Sequence, residues 1–137
     1  MTVKSFAKIN LGIEIVGRRP DGYHDLRTLF QTVTLADEIE FAAAPPGVLD
    51  LWGDDPAVAW DGTNLIHRAA ALLREKSGAA AGARIAVRKK VPAGRGLGGG
   101  SSNAATTLTV LNDLFRFGFD RERLIRIGAR LGADVPF

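Results

Sequence analysis

The sequence contains no cysteine, which excludes disulfides, thiolate metal sites and a cysteine nucleophile. Its two histidines, His24 and His67, are too few for a histidine-built structural metal centre. No apolar run reaches the roughly 18 residues of a membrane-spanning helix, so no transmembrane segment is expected. Met1–Phe6 shows neither an apolar run nor a signal-like cleavage site, and the expected location is the cytoplasm. Repeats are absent, and Ala79-Ala80-Ala81, the one low-complexity tract, reads as a turn or loop. What remains suits a single globular domain: 137 residues, 46% of them hydrophobic and 24% charged. The net charge of +3 could signal an anionic partner, but basic residues are spread along the chain with acids between them, as on solvated faces.

Residues 3–16 alternate with period two. Val3, Ala7, Ile9, Leu11, Ile13 and Ile15 share one face, broken by Ser5, and Lys4, Lys8, Asn10 and Glu14 share the other. This predicts a long half-buried strand, bent at Gly12. Pro20-Asp21-Gly22 is a turn signal. Further strands are expected over 26–35 and 38–42, with a weaker one over 48–52. A helix is expected from an N-cap at Thr63 to about Lys76, stopped by Gly78. A strand over 84–91 follows. Helices are then expected over 102–115 and 120–131, with Gly132 as the last C-cap. Strands first, then helices mixed with a strand, predict an α+β fold with helices on one face of a sheet.

Between the strand ending at Val91 and the next helix lies Pro92-Ala93-Gly94-Arg95-Gly96-Leu97-Gly98-Gly99-Gly100-Ser101-Ser102-Asn103. Five of the seven residues from Gly94 to Gly100 are glycine. Glycine is tolerated where the backbone bends sharply or a ligand approaches closely. A loop of bare amides opening onto a helix N-terminus is a ready anion site, so these residues predict phosphate binding, most simply of a nucleotide. The loop ends Gly100-Ser101-Ser102 without the lysine that a P-loop needs. Gly94-Arg95-Gly96-Leu97-Gly98-Gly99 satisfies the dinucleotide fingerprint, but a helix stands where that fold needs its next strand and acidic residue. No catalytic loop or magnesium-binding triplet of a protein kinase is visible.

Pro92 to Ser102 resembles the ATP-binding motif of the GHMP kinases. Within that superfamily, three segments resemble the 4-diphosphocytidyl-2-C-methyl-D-erythritol kinase family. They are Ala7-Lys8-Ile9-Asn10-Leu11, Arg19-Pro20-Asp21-Gly22-Tyr23-His24 and Gly132-Ala133-Asp134-Val135-Pro136-Phe137. The resemblance implies a GHMP N-terminal domain, like the second domain of ribosomal protein S5, with a mixed or antiparallel sheet. It implies transfer of the ATP γ-phosphoryl group to a cytidine diphosphate small molecule in isoprenoid biosynthesis. Magnesium follows from phosphoryl-transfer chemistry in general.

Under that resemblance Asp134 is the general base and Lys8 stabilises it, orients the hydroxyl and offsets charge on the transferred group. An aspartate is a weak base at neutral pH, which phosphoryl transfer tolerates because positioning and charge stabilisation supply most of the catalysis. Asn10, Tyr23 and His24 are implied in substrate binding: an aromatic face can stack on a pyrimidine, and an imidazole can bond its edge. Asn64 and Lys89 are implied near the adenine, and Ser101 and Ser102 at the phosphates. Read alone, Lys8 is a solvated strand lysine, Asp134 a turn aspartate, and Tyr23 and His24 loop residues. Asn64 is equally a helix N-terminus, Lys89 a solvated strand end, and the two serines a cap.

Family members are longer and carry a second domain that closes the cleft. Residues 1–137 therefore read as an N-terminal ATP-binding domain whose C-terminal partner is absent, with Asp134 liable to fray and with weak or no turnover alone. An inert fragment is one competing reading. A basic nucleic-acid module of the same fold is another, but no cluster of Lys/Arg with interleaved aromatics supports it, and neither nucleic-acid nor membrane partners are expected.

Overall fold

The structure, a computed structural model, describes the whole chain apart from Arg19, Asp21 and Tyr23 and the side chains of His24, Asp25 and Leu26. Two long strands dominate it, β1 (Thr2–Arg18) and β2 (His24–Ala44). β3 (Leu49–Gly53) and β4 (Gly82–Arg88) complete a sheet of order β1-β2-β4-β3. β2 is antiparallel to β1 and β4, while β3 runs parallel to β4, so the sheet is mixed. Three helices, α1 (Leu65–Ser77), α2 (Gly99–Leu114) and α3 (Arg121–Ala129), accompany it. None of the described helices is long and apolar enough to cross a membrane.

Alternation along β2 and β4 sorts the sheet into two faces. Ile39, Phe41, Ile85 and Val87 turn to the helices and are buried, against Ile66 and Leu73 of α1 and Leu108 and Leu111 of α2. Glu38, Glu40, Arg84 and Arg88 turn outward and are not buried. This is the α+β layering expected from the order of the elements.

Several boundaries differ from expectation. The strands expected over 26–35 and 38–42 are one strand, with a register shift against β1 between Phe6 and Lys8. Two consecutive side chains of β1, Ala7 and Lys8, are buried at this irregularity. Beyond Asn10 the expected half-buried strand is instead exposed, Leu11, Ile13 and Ile15 included, with no helix among the described residues packed on that end of the hairpin. Asn64 rather than Thr63 caps α1, accepting from the Ile66 amide at 2.9 Å, and Gly78 closes the helix as expected. Asp120 caps α3 by accepting from the Arg123 amide at 2.8 Å. The C-cap of α3 is Arg130, not Gly132.

Candidate active site

The glycine loop is held between β1 and α2. Gly98, at φ 68°, is the N-cap of α2, which therefore begins at Gly99 rather than Ser102. No side chain caps this end, so the first amides of α2 remain available to an anion at the positive end of the helix dipole. Ser101 and Ser102 lie inside the first turn instead of capping it, and the Ser102 amide donates to Gly98 O at 2.8 Å. The tip of the loop, Pro92 to Gly96, is exposed.

β1 grips the loop at three points. The Lys8 amide donates to Leu97 O at 2.9 Å. The Ser5 and Ser102 hydroxyls share a hydrogen bond of 2.9 Å. The Lys8 stem also lies against Gly98, where a Cβ would come 2.8 Å from Lys8 Cγ and 2.9 Å from its Cε. Ser5, which breaks the apolar face of β1, is thus the buried partner of a loop hydroxyl.

The Lys8 ammonium leaves this contact to meet three groups. It donates to Asn10 Oδ1 at 2.6 Å, pairs with Asp134 Oδ2 at 3.3 Å, and sits 4.5 Å from the centre of the Phe30 ring. Lys8 is buried, with only 8% of its surface exposed, so this is not a solvated strand lysine. Asp134, at 40% side-chain exposure, is open to a ligand. The expected fraying of its segment is countered by neighbours: Val135 is buried against Gly128, and Phe137 packs on Phe30 with ring centres 4.8 Å apart.

Two cavities flank the loop. One of about 220 Å³ is lined by Lys8, Gly98, Ser102, Thr106 and Asp134. The other, of about 160 Å³, is lined by Trp60, Asn64, Lys89, Gly94, Gly100 and Asn103. Larger openings exist on the outer sheet face, at about 330 Å³, and beside α3, at about 410 Å³. Neither borders the loop or the Lys8–Asp134 pair, so size does not select the site here.

Asn64 and Lys89 line the second cavity, but both are committed to other contacts. Besides capping α1, Asn64 donates to Ala59 O at 2.7 Å. The Lys89 ammonium is bound to Asp37 at 2.5 Å and is buried, not solvated. Tyr23 lies outside the described residues. The backbone of His24 opens β2, and its side chain lies outside them too.

Asp37 is the largest element of the site that sequence reasoning missed. It is fully buried. Besides Lys89 it accepts from the Lys90 and Val91 amides at 2.7 and 2.8 Å and from Asn103 Nδ2 at 3.0 Å. Burial pushes its carboxyl up, but the bonds from Lys89, Val91, Lys90 and Asn103 together outweigh burial and hold it below the usual value of 3.8. One carboxylate thereby ties β2 to the strand end entering the glycine loop and to the helix leaving it. Asp37→Ala, which strands the Lys89 charge and two amides, is expected to cost about 3–5 kcal/mol in urea unfolding at neutral pH. With its pKa lowered by folding, Asp37 stabilises the native state above pH 3.8 and progressively less as pH falls through the folded value. The stability gap between wild type and variant should therefore narrow in acid.

Residues 64–137 match the GHMP kinases N terminal domain family. The 4-diphosphocytidyl-2-C-methyl-D-erythritol kinase of Methylococcus capsulatus is 55% identical over 130 residues, covering 95% of this chain and 44% of that protein. Its namesake in Pseudomonas syringae pv. tomato is 52% identical, covering 95% of this chain and 46% of that protein. The chain spans about half the length of the curated relatives it matches. A crystal structure of a 4-(cytidine 5'-diphospho)-2C-methyl-D-erythritol kinase superposes with a TM-score of 0.85 at 42% identity, covering all of this chain and 48% of that one. The Methanococcus jannaschii mevalonate kinase shares the fold at a TM-score of 0.73 and 14% identity. By the family match and the fold, this chain belongs to the GHMP kinases.

Proposed function

We propose that the chain forms the N-terminal, nucleotide-binding domain of a kinase that phosphorylates the 2-hydroxyl of 4-diphosphocytidyl-2-C-methyl-D-erythritol in non-mevalonate isoprenoid (terpenoid) biosynthesis. The observation that supports this reading is contact between the glycine loop and the Lys8–Asp134 pair. The Lys8 stem packs on Gly98 of the anion loop while its ammonium reaches Asp134. The phosphate cradle and a lysine–aspartate pair are therefore adjacent.

In this reading the phosphates of ATP lie on the amides from Gly94 to Ser102, with the Ser101 and Ser102 hydroxyls adding donors. The adenine takes the cavity bordered by Asn64 and Lys89. The acceptor hydroxyl enters the cavity at Asp134. Its oxygen attacks the γ-phosphorus as the bond to the ADP oxygen breaks, and its proton passes to Asp134. Lys8 holds Asp134 in place and offsets negative charge on the transferred group. Asn10, which fixes the Lys8 ammonium, binds the acceptor substrate, to which the family resemblance also assigns Tyr23 and His24. No cluster of three or more potential metal ligands occurs among the described residues. Magnesium needs only one or two protein oxygens when it arrives on a nucleotide, and the Ser102 hydroxyl, on the cavity beside the loop, would fit that demand. Bound there, it would neutralise phosphate charge.

Incubation of the protein that contains this chain with ATP, magnesium and 4-diphosphocytidyl-2-C-methyl-D-erythritol tests the reading by mass spectrometry. A product heavier by one phosphoryl group is expected, with mevalonate and homoserine unchanged. Phosphorylation of either of those instead would remove the substrate assignment. Tyr23→Ala is expected to raise KM for the cytidylyl substrate by about tenfold, the loss of a stacking contact, with KM for ATP unchanged. Equal changes in both would break the cytidine assignment.

A further inference from the structure

We infer that Phe30 is a positioning residue for phosphoryl transfer: the face of its ring holds the Lys8 ammonium toward Asp134, and its packing on Phe137 ties the Asp134 segment to the same point. This rests on the kinase reading above. Phe30 stands on β2 directly across from Asn10, and Thr32 stands across from Lys8. Opposed residues of an antiparallel pair point to one side of the sheet, so Lys8, Asn10, Phe30 and Thr32 share a face. Phe30 is the apolar member of that group and is only half-buried. Its ring centre lies 4.5 Å from Lys8 Nζ, within the range where the negative face of an aromatic ring attracts a cation. The Phe137 ring lies 4.8 Å away, tilted by 59°. Phe137 lines the same cavity as Lys8 and Asp134.

A lysine has a flexible stem and a compact charge, so it needs contacts on several sides to hold one direction. Gly98 bounds the Lys8 stem, Asn10 Oδ1 accepts one ammonium hydrogen at 2.6 Å, and Asp134 pairs with the charge at 3.3 Å. Asn10 is itself fixed, since its Nδ2 donates to Thr28 Oγ1 at 3.3 Å. The Asp134 contact changes during the reaction. When the carboxylate takes the acceptor proton it loses its charge, and with it the attraction that aims the ammonium. Asn10 and the Phe30 ring carry no net charge before or after that step. They are the contacts that keep Lys8 beside the transferred phosphoryl group as its negative charge builds. Phe137, on the same ring, keeps Asp134 from drifting off Lys8 as their attraction fades.

Steady-state kinetics of the protein that contains this chain, with Phe30 replaced by its 4-fluoro, 3,5-difluoro and 3,4,5-trifluoro analogues, tests this. Fluorine withdraws negative charge from the ring face while nearly preserving its shape. With magnesium ATP and 4-diphosphocytidyl-2-C-methyl-D-erythritol, kcat is expected to fall with each added fluorine, by about tenfold at the trifluoro analogue. KM for ATP and the melting temperature should stay unchanged. The gradient should persist when Phe137→Leu is added, because it runs through Lys8. Phe30→Leu, which removes the ring face altogether, is expected to lose at least as much. A space-filling role would leave kcat flat across the series, and that result overturns the inference. A gradient that vanishes with Phe137→Leu overturns it as well. So does a rise in KM for the cytidylyl substrate at constant kcat, since Phe30 would then act on substrate directly. No turnover by the unmodified protein withdraws the kinase reading and this inference with it.

Discussion

Asp134→Asn is expected to lower kcat for phosphoryl transfer by about 10²–10⁴-fold while leaving ATP affinity nearly unchanged. Asparagine keeps the shape of the side chain but cannot take the acceptor proton. Its amide also removes the negative partner of Lys8, whose ammonium stays held by Asn10 at 2.6 Å and by the Phe30 ring. The glycine loop packs on the stem of Lys8, away from its ammonium, and its backbone amides are not touched by this substitution. Steady-state kinetics with a calorimetric Kd for ATP separates the two effects. Turnover close to wild type would remove Asp134 as the base. A parallel loss of ATP affinity would show that the carboxylate serves the nucleotide instead.

Gly98→Val is expected to damage both halves of the site at once. Gly98 holds φ 68°, a region where a β-branched residue is strained by about 1–3 kcal/mol. Its new Cβ would also collide with the Lys8 stem, which stands 2.8 Å from the ideal position. Lys8 must then move, and a displacement of about 1 Å at a reacting centre costs roughly 10²-fold in rate. The variant should melt at a lower temperature, bind ATP more weakly and lose about 10²-fold in kcat. Gly100→Ala is the internal control for folding. A Cβ there meets only Leu65 Cδ1 at 3.6 Å, an ordinary contact, so its melting temperature should match wild type. A Gly98→Val protein with wild-type kcat would show that the loop and Lys8 are not coupled.

The glycine loop, the order of elements and the cap at Gly78 were legible because each rests on local chemistry: bare amides, hydrophobic period and a glycine free to turn left-handed at a helix end. The Lys8–Asp134 pair was legible only through resemblance, since a lysine on a strand and an aspartate in a turn carry no local sign that they meet. Asp37 had no sign at all. It precedes an exposed-face glutamate, and Lys89, Lys90, Val91 and Asn103 lie 52 to 66 positions away along the chain. Ser5 did leave a trace, as a polar residue on an apolar strand face, and its buried bond to Ser102 accounts for the break. The exposure of Leu11, Ile13 and Ile15 was illegible for the opposite reason: alternation reports that one face is apolar, not that anything covers it.

In the proposed function the glycine loop binds the phosphates of ATP beside Lys8. Titration of magnesium ATP into the ¹⁵N-labelled chain, followed by amide chemical shifts, tests it most directly. The largest shifts are expected at the amides from Gly94 to Ser102, with Lys8 moving because its own amide is bonded to Leu97 O. Saturable binding that leaves these amides in place while others shift would contradict it.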